Sequence, residues 1–435
     1  MTVFDAPRVL FLTPAAFNRT TGGGITFGNL FAGWPKDRLA TAHNDPVPTT
    51  TETCEQYYRL GPAEIRRWGP LEHIAPAAGR ATGAALAGGS GTVAPGGFLR
   101  AAKELVFGPQ LPDSGRLSPE LERWIGAFRP ELLYTILGSN AMMELAGEVQ
   151  RRFELPLVVH MMDDWPATAY GGGALGFLAR GRMRRLLAGL MQRATLRMGI
   201  GEAMCEAYAA RYGVPFEPFQ NATDAARWSA LARRDAAART PAEVVYVGSV
   251  LPFAQLDSLI DCCKAVAQLG AEGVPVRLSI YSPAMYTAPH RERLLVAPNI
   301  ALHDAITDDE AFFRVIAAAD ALLLPVNFDA ATVNYIRYSM PTKVPAYLFS
   351  GTPILAYGPA EVAQVRYAAQ RDWALVVDRP GVAPLAVALR RLLAEAPLRE
   401  RLSANARRTA LENHNAAQVR GRFQGRLQAA AKGGG

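Results

Sequence analysis

Residues 334–359 combine a polar turn, a lysine and a glycine-proline stop in a way that suits the binding of an anion. The segment reads NYIRYSMPTKVPAYLFSGTPILAYGP. Gly351 can supply a left-handed helix stop, and Pro353 forbids continuation of the helix. A helix that begins straight after a polar turn offers free backbone N–H groups, and we expect Lys343 in its first turn. The segment therefore predicts a phosphate site formed by Lys343 and the helix amides.

A glycine-rich stretch, TGGGITFGNL, follows the first strand-like run of the chain. Gly23 and Gly24 let backbone N–H groups approach a ligand closely, and the helix expected after them would point its positive end at the same place. The stretch departs from the dinucleotide pattern GxGxxG, and Asp45 matches only loosely the acid expected about 20 residues later. This disfavours a dehydrogenase and leaves two alternatives, a phosphate contact or a tight turn.

One histidine lies beside two aspartates in the run LPLVVHMMDDWPA. His160 is expected at the carboxyl end of a strand, where ligands of open α/β sheets gather. Its ring could act in catalysis, or it could satisfy a nearby carbonyl in the core. Asp163 and Asp164 could serve the same site, or they could cap the next helix.

Residues 166–200 contain six arginines and no acidic residue. The arginines are Arg180, Arg182, Arg184, Arg185, Arg193 and Arg197. Apolar residues recur among them at helical spacing, which predicts an apolar stripe beside a basic face. The segment is either a solvated helix packed on its own domain or a surface that contacts anionic lipid headgroups. Nucleic acid is disfavoured because interleaved aromatic residues are absent.

The elements that must position these residues follow an alternating pattern. Strand-like runs occur at residues 8–12, 132–136, 157–160, 197–200, 244–247, 276–280, 321–325 and 354–357. Helix-like segments separate them, so the pattern predicts parallel sheets flanked by helices, in two groups. We place the join between the groups within residues 216–243. Residues 49–110 are rich in Gly, Pro and Ala and are interpreted as loops and short helices.

Composition narrows the class of protein. The chain has 435 residues, half of them hydrophobic, which suits two α/β domains rather than one. Its formal net charge of +7 indicates anionic partners such as phosphorylated small molecules, an acidic membrane face or nucleic acid. The four cysteines show no metal-ligand spacing, which favours a reducing cytoplasm. The amino terminus does not read as a signal peptide, and no apolar run reaches the roughly 18 residues of a membrane span.

Taken in order, these segments resemble the nucleotide-sugar glycosyltransferases of the GT-B fold, in particular the large retaining group (glycosyltransferase family 4-like). SMPTK resembles the Ser-x-Pro-x-Lys variant of their donor-binding loop, and VVYVG resembles the strand that opens their second domain. The resemblance implies an α/β protein with two Rossmann-like parallel-sheet domains facing a cleft. Residues 1–218 would bind the acceptor and residues 219–411 the nucleotide sugar. Residues 412–435 would form a helix that crosses back to the first domain, followed by a flexible tail.

The resemblance also implies roles for individual residues. It implies catalytic roles for His160 and Asp163. Contacts to the donor phosphates are implied for Gly23, Gly24, Gly248, Ser249, Arg337, Ser339, Thr342 and Lys343. Contacts to the nucleotide base are implied for Tyr281, Ser282, Ala305 and Ile306. The family's usual Arg and Lys after Gly248 are replaced here by Ser249 and Ala254, and its usual glutamate pair by Tyr338 and Ala346, so the phosphate charge is left to Lys343, Arg337 and the helix terminus.

The implied activity is transfer of a sugar from a nucleoside-diphosphate donor, with UDP favoured, to a bacterial glycan or a lipid-linked acceptor. The reaction would be retaining, without a metal or other cofactor, in the cytoplasm or on the inner face of the cell membrane. Nucleic acid is not an expected partner. Two alternatives remain open, a non-hydrolysing nucleotide-sugar epimerase of the same fold and a catalytically silent scaffold subunit.

Overall fold

The computed structural model of the chain describes residues 6–18, 21–67, 110, 112–235 and 239–433. The chain divides into two compact units. The amino-terminal unit contains Met1–Gln220 and Val419–Gly435, and the carboxyl-terminal unit contains Asn221–Gln418. Across the described ranges, no helix combines the length and the apolar character needed to cross a membrane.

The amino-terminal unit is built on a seven-stranded parallel sheet in the order β3-β2-β1-β6-β7-β8-β9. Its strands are β1 (Val9–Thr13), β2 (Leu39–His43), β3 (Gln56–Arg59), β6 (Leu132–Thr135), β7 (Leu157–Met161), β8 (Leu196–Gly199) and β9 (Glu217–Pro218). A short antiparallel pair joins β4 (Ile65–Arg67) to β5 (Asp113–Gly115). The strand order reverses between β1 and β6, which makes the loops after these two strands the topological switch point.

Helices connect the strands of this unit. They are Gly22–Phe31, Pro119–Phe128, Asn140–Phe153, Trp165–Thr168, Gly176–Arg193 and Glu202–Tyr212, with a 3₁₀ turn at Lys36–Arg38. The last helix of the chain, Ala416–Ala431, contributes Phe423 to an aromatic cluster of the same unit. The Phe423 ring centroid lies 5.1 Å from that of Phe31, 5.8 Å from Tyr134 and 5.6 Å from Phe219. This packing confirms the expected return of the carboxyl-terminal helix.

The carboxyl-terminal unit has a six-stranded parallel sheet in the order β12-β11-β10-β13-β14-β15. Its strands are β10 (Ala242–Val247), β11 (Val276–Tyr281), β12 (Ile300–His303), β13 (Ala321–Pro325), β14 (Ile354–Tyr357) and β15 (Leu375–Val377). β10 lies in the middle, and its register pairs Val247 with Tyr281 at the carboxyl end. The order reverses between β10 and β13, so this unit also has a switch point.

Ten α-helices and a 3₁₀ turn, Ala288–His290, accompany this sheet in the described residues. The helices are Ala225–Leu231, Leu256–Ala271, Ala284–Thr287, Arg291–Leu294, Asp309–Ala318, Ala330–Ile336, Val344–Phe349, Ala363–Arg371, Val382–Ala394 and Ala396–Asn413. Successive residues of β10 enter two different cores, with Val244 and Tyr246 on one side of the sheet and Val245 and Val247 on the other. Burial on both faces explains why the strands read as continuous apolar runs.

The two parallel sheets confirm the predicted α/β class. Gly351 adopts a φ of +75° after the helix Val344–Phe349, which confirms the predicted left-handed stop. A Cβ at Gly351 would also lie 2.4 Å from the carbonyl oxygen of Arg233, so the position has no room for a side chain. Two predictions fall partly outside the described residues. They concern residues 68–109 of the region interpreted as loops and the last two residues of the expected tail.

Candidate functional site

The ammonium of Lys343 is the clearest candidate for a ligand-binding group, and it lies at the carboxyl end of the six-stranded sheet. It donates a hydrogen bond of 2.9 Å to the main-chain oxygen of Val247, the last residue of β10. Its Nζ lies 4.0 Å from the ring centroid of Tyr246 and 5.6 Å from that of Tyr347. Within the described part of the chain, Lys343 forms no ion pair with a carboxylate. The fold therefore places a titratable amine at this edge without a carboxylate partner among the described residues.

Burial controls the protonation of Lys343. Removal of the ammonium from water lowers the pKa of Lys343 from 10.5 to about 7. Burial also raises the pKa values of Tyr246 and Tyr347, so both hydroxyls stay neutral around pH 7. A negative ligand beside the ammonium would favour its charged form and raise its pKa again.

Gly248 leaves room for the ammonium of Lys343 because it has no side chain. Its φ of +139° is a conformation that residues with a side chain rarely adopt. A Cβ at this position would lie 3.2 Å from Nζ of Lys343 and 3.5 Å from the hydroxyl oxygen of Tyr246. That hydroxyl donates to the carbonyl of Ser249 over 2.6 Å, which holds the loop after β10 in place. The main chain of Gly248 thus passes directly beside Lys343, an arrangement that suits a phosphate-binding loop.

The neighbouring strand ends bring the predicted base-binding residues to the same edge. The amide of Gly248 donates to the carbonyl of Tyr281 over 3.0 Å, and the amide of Ser282 donates to that of His303 over 3.1 Å. The rings of Tyr281 and His303 stack with centroids 4.6 Å apart. The hydroxyl of Ser282 is buried and has no hydrogen-bond partner in the described structure. Ala305 and Ile306 follow in the segment after β12, the first exposed and the second half-buried.

The loops after β10 and β13 are fastened to each other at the switch point. The side chain of Asn327, just after β13, donates to the carbonyl of Pro252 over 2.8 Å. Thr332 donates from its hydroxyl to the carbonyl of Phe253 over 3.0 Å. These bonds give the loop after β10 a defined position next to the ligand-facing edge of the sheet.

Arg337 follows the helix Ala330–Ile336, and its guanidinium is only partly satisfied. Its Nη2 lies 3.6 Å from the carboxylate of Glu361, a long ion pair between partly exposed side chains. Its Nε is buried and finds no acceptor among the described residues. Arg337 therefore retains donor capacity for an anion. Two positions on, the amide of Ser339 donates to the carbonyl of Ile336 over 2.9 Å in the turn that leads to Lys343.

Asn221 holds the main chain immediately before Lys343. Its Nδ2 donates to the carbonyl of Thr342 over 2.9 Å. The carbonyl of Asn221 in turn accepts from Nδ1 of His414 over 3.0 Å. His414 is fully buried, and burial lowers its pKa to about 4, so its ring is neutral near pH 7. A chain of hydrogen bonds thus runs from His414 through Asn221 to the residue that precedes the lysine.

The position of Lys343 in its helix differs from the expectation. The helix is Val344–Phe349, so Lys343 is its N-cap and not a member of its first turn. Pro345 occupies the second helical position and has no N–H to offer. The helix amides therefore contribute less to the site than the sequence suggested, and the ammonium itself contributes more.

The glycines of the amino-terminal unit lie inside a helix and not in the loop before it. The helix begins at Gly22, and the hydroxyl of Thr21 caps it by accepting from the amide of Gly24 over 3.1 Å. A Cβ on Gly24 would lie 2.5 Å from the side chain of Asn18, so packing alone requires a glycine there. A Cβ on Gly23 would meet nothing nearer than 3.6 Å. The contact of Gly23 and Gly24 with a phosphate stays a prediction.

Asp45 does not take the place of a ribose-binding acid. Its carboxylate accepts from the amides of Ala16 and Val47, each over 3.0 Å, and from the side chain of Asn18 over 3.4 Å. These bonds fix the loop after β1 and use both carboxylate oxygens. The arrangement adds a structural reason to disfavour a dinucleotide-binding site here.

His160 is the penultimate residue of β7, and its side chain is completely buried. Its Nε2 lies 3.1 Å from the carbonyl of Phe219, and its Nδ1 lies 2.6 Å from the hydroxyl of Tyr134. The carbonyl must accept from Nε2–H, so Nδ1 accepts from the tyrosine. Burial lowers the pKa of His160 to about 3, which keeps the ring neutral. This geometry matches a ring that satisfies a carbonyl in the core, and the contact with a sugar stays a prediction.

Asp163 and Asp164 have different surroundings. Asp163 is exposed, whereas Asp164 is buried. The carboxylate of Asp164 accepts from the hydroxyl of Tyr208 over 2.7 Å and from Arg211 over 3.0 and 3.3 Å. Asp164 is the N-cap residue of the next helix, but its side chain does not cap it. Asp164 therefore fastens the turn after β7 to the helix Glu202–Tyr212.

Several contributors to the site carry no motif in the sequence. Tyr246 contacts Lys343 and His303 stacks on Tyr281, each from a separate strand, whereas Tyr347 lies four residues after Lys343. Their sequence signals are indirect: the apolar run VVYV places Tyr246 in a strand, and Tyr347 lies within the segment 334–359. Among the residues that the structure covers, no group of three or more His, Cys, Asp or Glu side chains is arranged to hold a metal ion.

No protein-family model and no curated protein sequence matches the chain. Solved structures do match it over nearly its full length. HepE from Anabaena, crystallised with UDP, covers 97% of this chain and 100% of its own, with a TM-score of 0.59 at 12% identity. Sucrose-phosphate synthase from Thermosynechococcus elongatus covers 97% and 100%, with a TM-score of 0.63 at 14% identity. α,α-Trehalose 6-phosphate synthase from Burkholderia multivorans covers 98% and 99%, with a TM-score of 0.60 at 12% identity. These likenesses, together with the two parallel sheets, show that the chain has the GT-B fold.

Proposed function

We propose that the protein is a glycosyltransferase that moves a sugar from a nucleoside-diphosphate donor, with UDP favoured, to an acceptor. The observation that carries this proposal is the ammonium of Lys343, held beside Gly248 at the carboxyl end of β10 without a carboxylate partner among the described residues. A half-buried cation whose ammonium is desolvated is stabilised when an anion binds next to it. The UDP bound in the structure of HepE, a protein of the same fold, supports the choice of nucleotide.

In this proposal the donor lies along the carboxyl edge of the six-stranded sheet. Lys343 and Arg337 neutralise the diphosphate, and the charge that develops on the leaving group makes their interaction strongest in the transition state. The resemblance of the sequence also supports contacts of Gly248, Ser249, Ser339 and Thr342 with the phosphates. Tyr281, stacked on His303, and Ser282 bind the base, with Ala305 and Ile306 at its edge.

The remaining features of the proposal rest on the resemblance of the sequence. We assign the acceptor as a bacterial glycan or a lipid-linked acceptor, and the reaction as retaining and independent of a metal. The same resemblance supports roles for Gly23 and Gly24 at the phosphates and for His160 and Asp163 at the sugar. It also supports a location in the cytoplasm or on the inner face of the cell membrane.

A thermal-shift panel of UDP, GDP, dTDP and ADP, and of their sugar conjugates, tests the proposal. A ligand that binds only the folded state stabilises it by about 2.7 kcal/mol at a concentration 100 times its Kd. We expect the UDP compounds to raise the Tm, and we expect Lys343→Ala to remove that rise. Turnover of the donor into an epimer without any acceptor would identify an epimerase. Absence of a shift with every nucleotide would identify a silent subunit.

A further inference from the structure

We propose that the helix Gly176–Arg193 carries a second functional surface, which binds the surface of an anionic lipid bilayer. This surface, called here the lipid face, consists of Phe177, Leu178, Arg184 and Arg185. It lies in the amino-terminal unit, and it shares no residue with the donor site. The proposal therefore stands or fails separately from the assignment of Lys343.

Two large apolar side chains of the lipid face are exposed to solvent. Phe177 is 65% exposed and Leu178 is 58% exposed, and Leu175 just before the helix is 39% exposed. Single exposed apolar residues are ordinary on protein surfaces, but adjacent large ones mark interaction sites more often. Removing these side chains from water is favourable for any partner that offers an apolar layer.

The helical period places the charged members on the same side. Residues advance by about 100° each in an α-helix, so Phe177, Gly181 and Arg184 fall within a narrow sector. Leu178 and Arg185 fall close to each other beyond that sector, about 80° to 100° from Phe177. A Cβ on Gly181 would meet nothing within 4 Å, which leaves the centre of the face open. The helix turns its other side inward, and the buried residues there are Ala179, Met183, Leu187, Leu190 and Met191.

Most of the arginines of this segment serve the protein's own fold, which corrects the expectation of a continuous basic face. Arg182 pairs with Glu144. Arg180 donates to the carbonyl of Ala169 over 3.2 Å. Two more donate to acceptors of their own unit: Arg193 donates to Gln150, and Arg197 donates to the carbonyls of Met191 and Ala194.

Arg184 and Arg185 are different, because both are exposed and neither forms a hydrogen bond or an ion pair with a described residue. No acidic residue occurs between positions 165 and 201 to neutralise them. At a rise of 1.5 Å per residue, Arg184 lies about 10 Å along the helix from Phe177. The lipid face thus joins an apolar end to an unpaired cationic middle.

An anionic bilayer matches both parts of this face. Its acyl boundary accepts apolar side chains from an interfacial helix, and its headgroup phosphates attract arginine. A nucleic acid would satisfy the arginines but not the pair Phe177 and Leu178. A neutral apolar partner would satisfy the pair but not the arginines. The chemistry of the face therefore selects a surface that is apolar and anionic at once.

Co-sedimentation of the full chain with phosphatidylcholine vesicles, with and without phosphatidylglycerol, tests the proposal. We expect the wild type to bind the anionic vesicles at least tenfold more tightly. Phe177→Ser with Leu178→Ser should weaken that binding at least tenfold. Arg184→Gln with Arg185→Gln should abolish the preference for anionic vesicles.

Matched controls lie on the other unit, where Met285 is 73% and Val387 is 68% exposed. Met285→Ser with Val387→Ser, and Arg407→Gln with Arg408→Gln, should leave vesicle binding within twofold of the wild type. Every variant should keep its thermal shift with UDP if the donor site is as proposed. Should the apolar double variant fail to fold, the paired arginine variants decide the question alone.

Three results would overturn the proposal. The first is equal binding of the wild type to neutral and anionic vesicles. The second is unchanged binding by both lipid-face variants. The third is a dimer, seen by light scattering, that the Phe177 and Leu178 substitutions dissociate, because the face would then be a contact between copies of the chain.

Discussion

Lys343 should take up a proton when a nucleoside diphosphate binds. Burial holds its pKa at about 7 in the free protein, so at pH 8 about one molecule in ten carries the charged form. A diphosphate beside the ammonium favours the charged form and raises the pKa. If the bound pKa reaches about 10 or more, binding at pH 8 is coupled to uptake of about 0.9 proton.

The same linkage sets how affinity changes with pH. Above pH 7 the binding-competent ammonium becomes rarer in the free protein, so the affinity for UDP should fall as pH rises. Between pH 7 and pH 9 the charged fraction drops from about one half to about one hundredth, which predicts a loss of about 50-fold in affinity. The phosphate groups, with a second pKa of about 6, are already ionised at the upper end of this range and do not obscure the trend.

Isothermal titration calorimetry at pH 8 in two buffers of different ionisation enthalpy measures the proton uptake directly. Uridine, which lacks the phosphates, should bind without uptake. Lys343→Ala should bind UDP weakly, without uptake and with a flat pH profile. Tyr246 and Tyr347 cannot supply the signal, because burial raises their pKa values further from pH 8. Proton uptake that persists in Lys343→Ala, or its absence in the wild type, would refute the reasoning.

Four further substitutions probe the same structure. Gly248→Ala should weaken UDP binding at least tenfold but spare uridine, because the added Cβ would lie 3.2 Å from the ammonium. Calorimetry measures both affinities. Asn221→Ala should weaken UDP binding by roughly three- to tenfold, since the carbonyl before Lys343 loses a 2.9 Å hydrogen bond; a lower Tm with unchanged affinity would contradict this. His160→Ala should lower turnover by on the order of 100-fold with nearly unchanged UDP affinity. Tyr134→Phe, which removes one bond to the same ring, is its control, and near-normal turnover of folded His160→Ala would make the ring structural. Lys343→Met should raise the Tm at pH 6.5. The folded pKa of about 7 lies below the unfolded value, so the charged lysine destabilises the fold fully below pH 7 and the gain should shrink by pH 9.

The sequence predicted most strands of both sheets but missed several, including two neighbouring strands at one end of the amino-terminal sheet. All eight predicted runs match strands within a residue or two, including β1, β10 and β14. The runs QYYR and LATAH were missed, although they form β3 and β2. An edge strand such as β3 is partly exposed, so its composition carries little of the apolar signal that a central strand requires.

Some residues of the candidate site were predicted from the sequence, and others are apparent only in the structure. Lys343 was predicted from a turn pattern, and Gly248, Tyr281 and Ser282 were predicted from the resemblance. Their contacts with a donor stay predictions. Asn221 lies within residues 216–243, which the sequence marked only as the join between the two groups of strands, and its bond to Thr342 spans 121 residues of chain. The arginine segment was read as one basic face, whereas its carboxylate and carbonyl partners are visible only in the packed unit.

The sequence by itself determined the properties that a short stretch of backbone encodes. These are the alternation of strands and helices, the left-handed stop at Gly351, and the presence of one lysine within residues 334–359. Only the tertiary structure decided the chemistry of that lysine. Its hydrogen-bond acceptor, Val247, is 96 residues away, and so its pKa near 7 depends on groups that no local pattern brings together. The same is true of His160, whose ring nitrogens are engaged by Tyr134 and Phe219. Local sequence sets backbone conformation, but protonation and availability to a ligand are set by burial and by partners that arrive only when the chain folds.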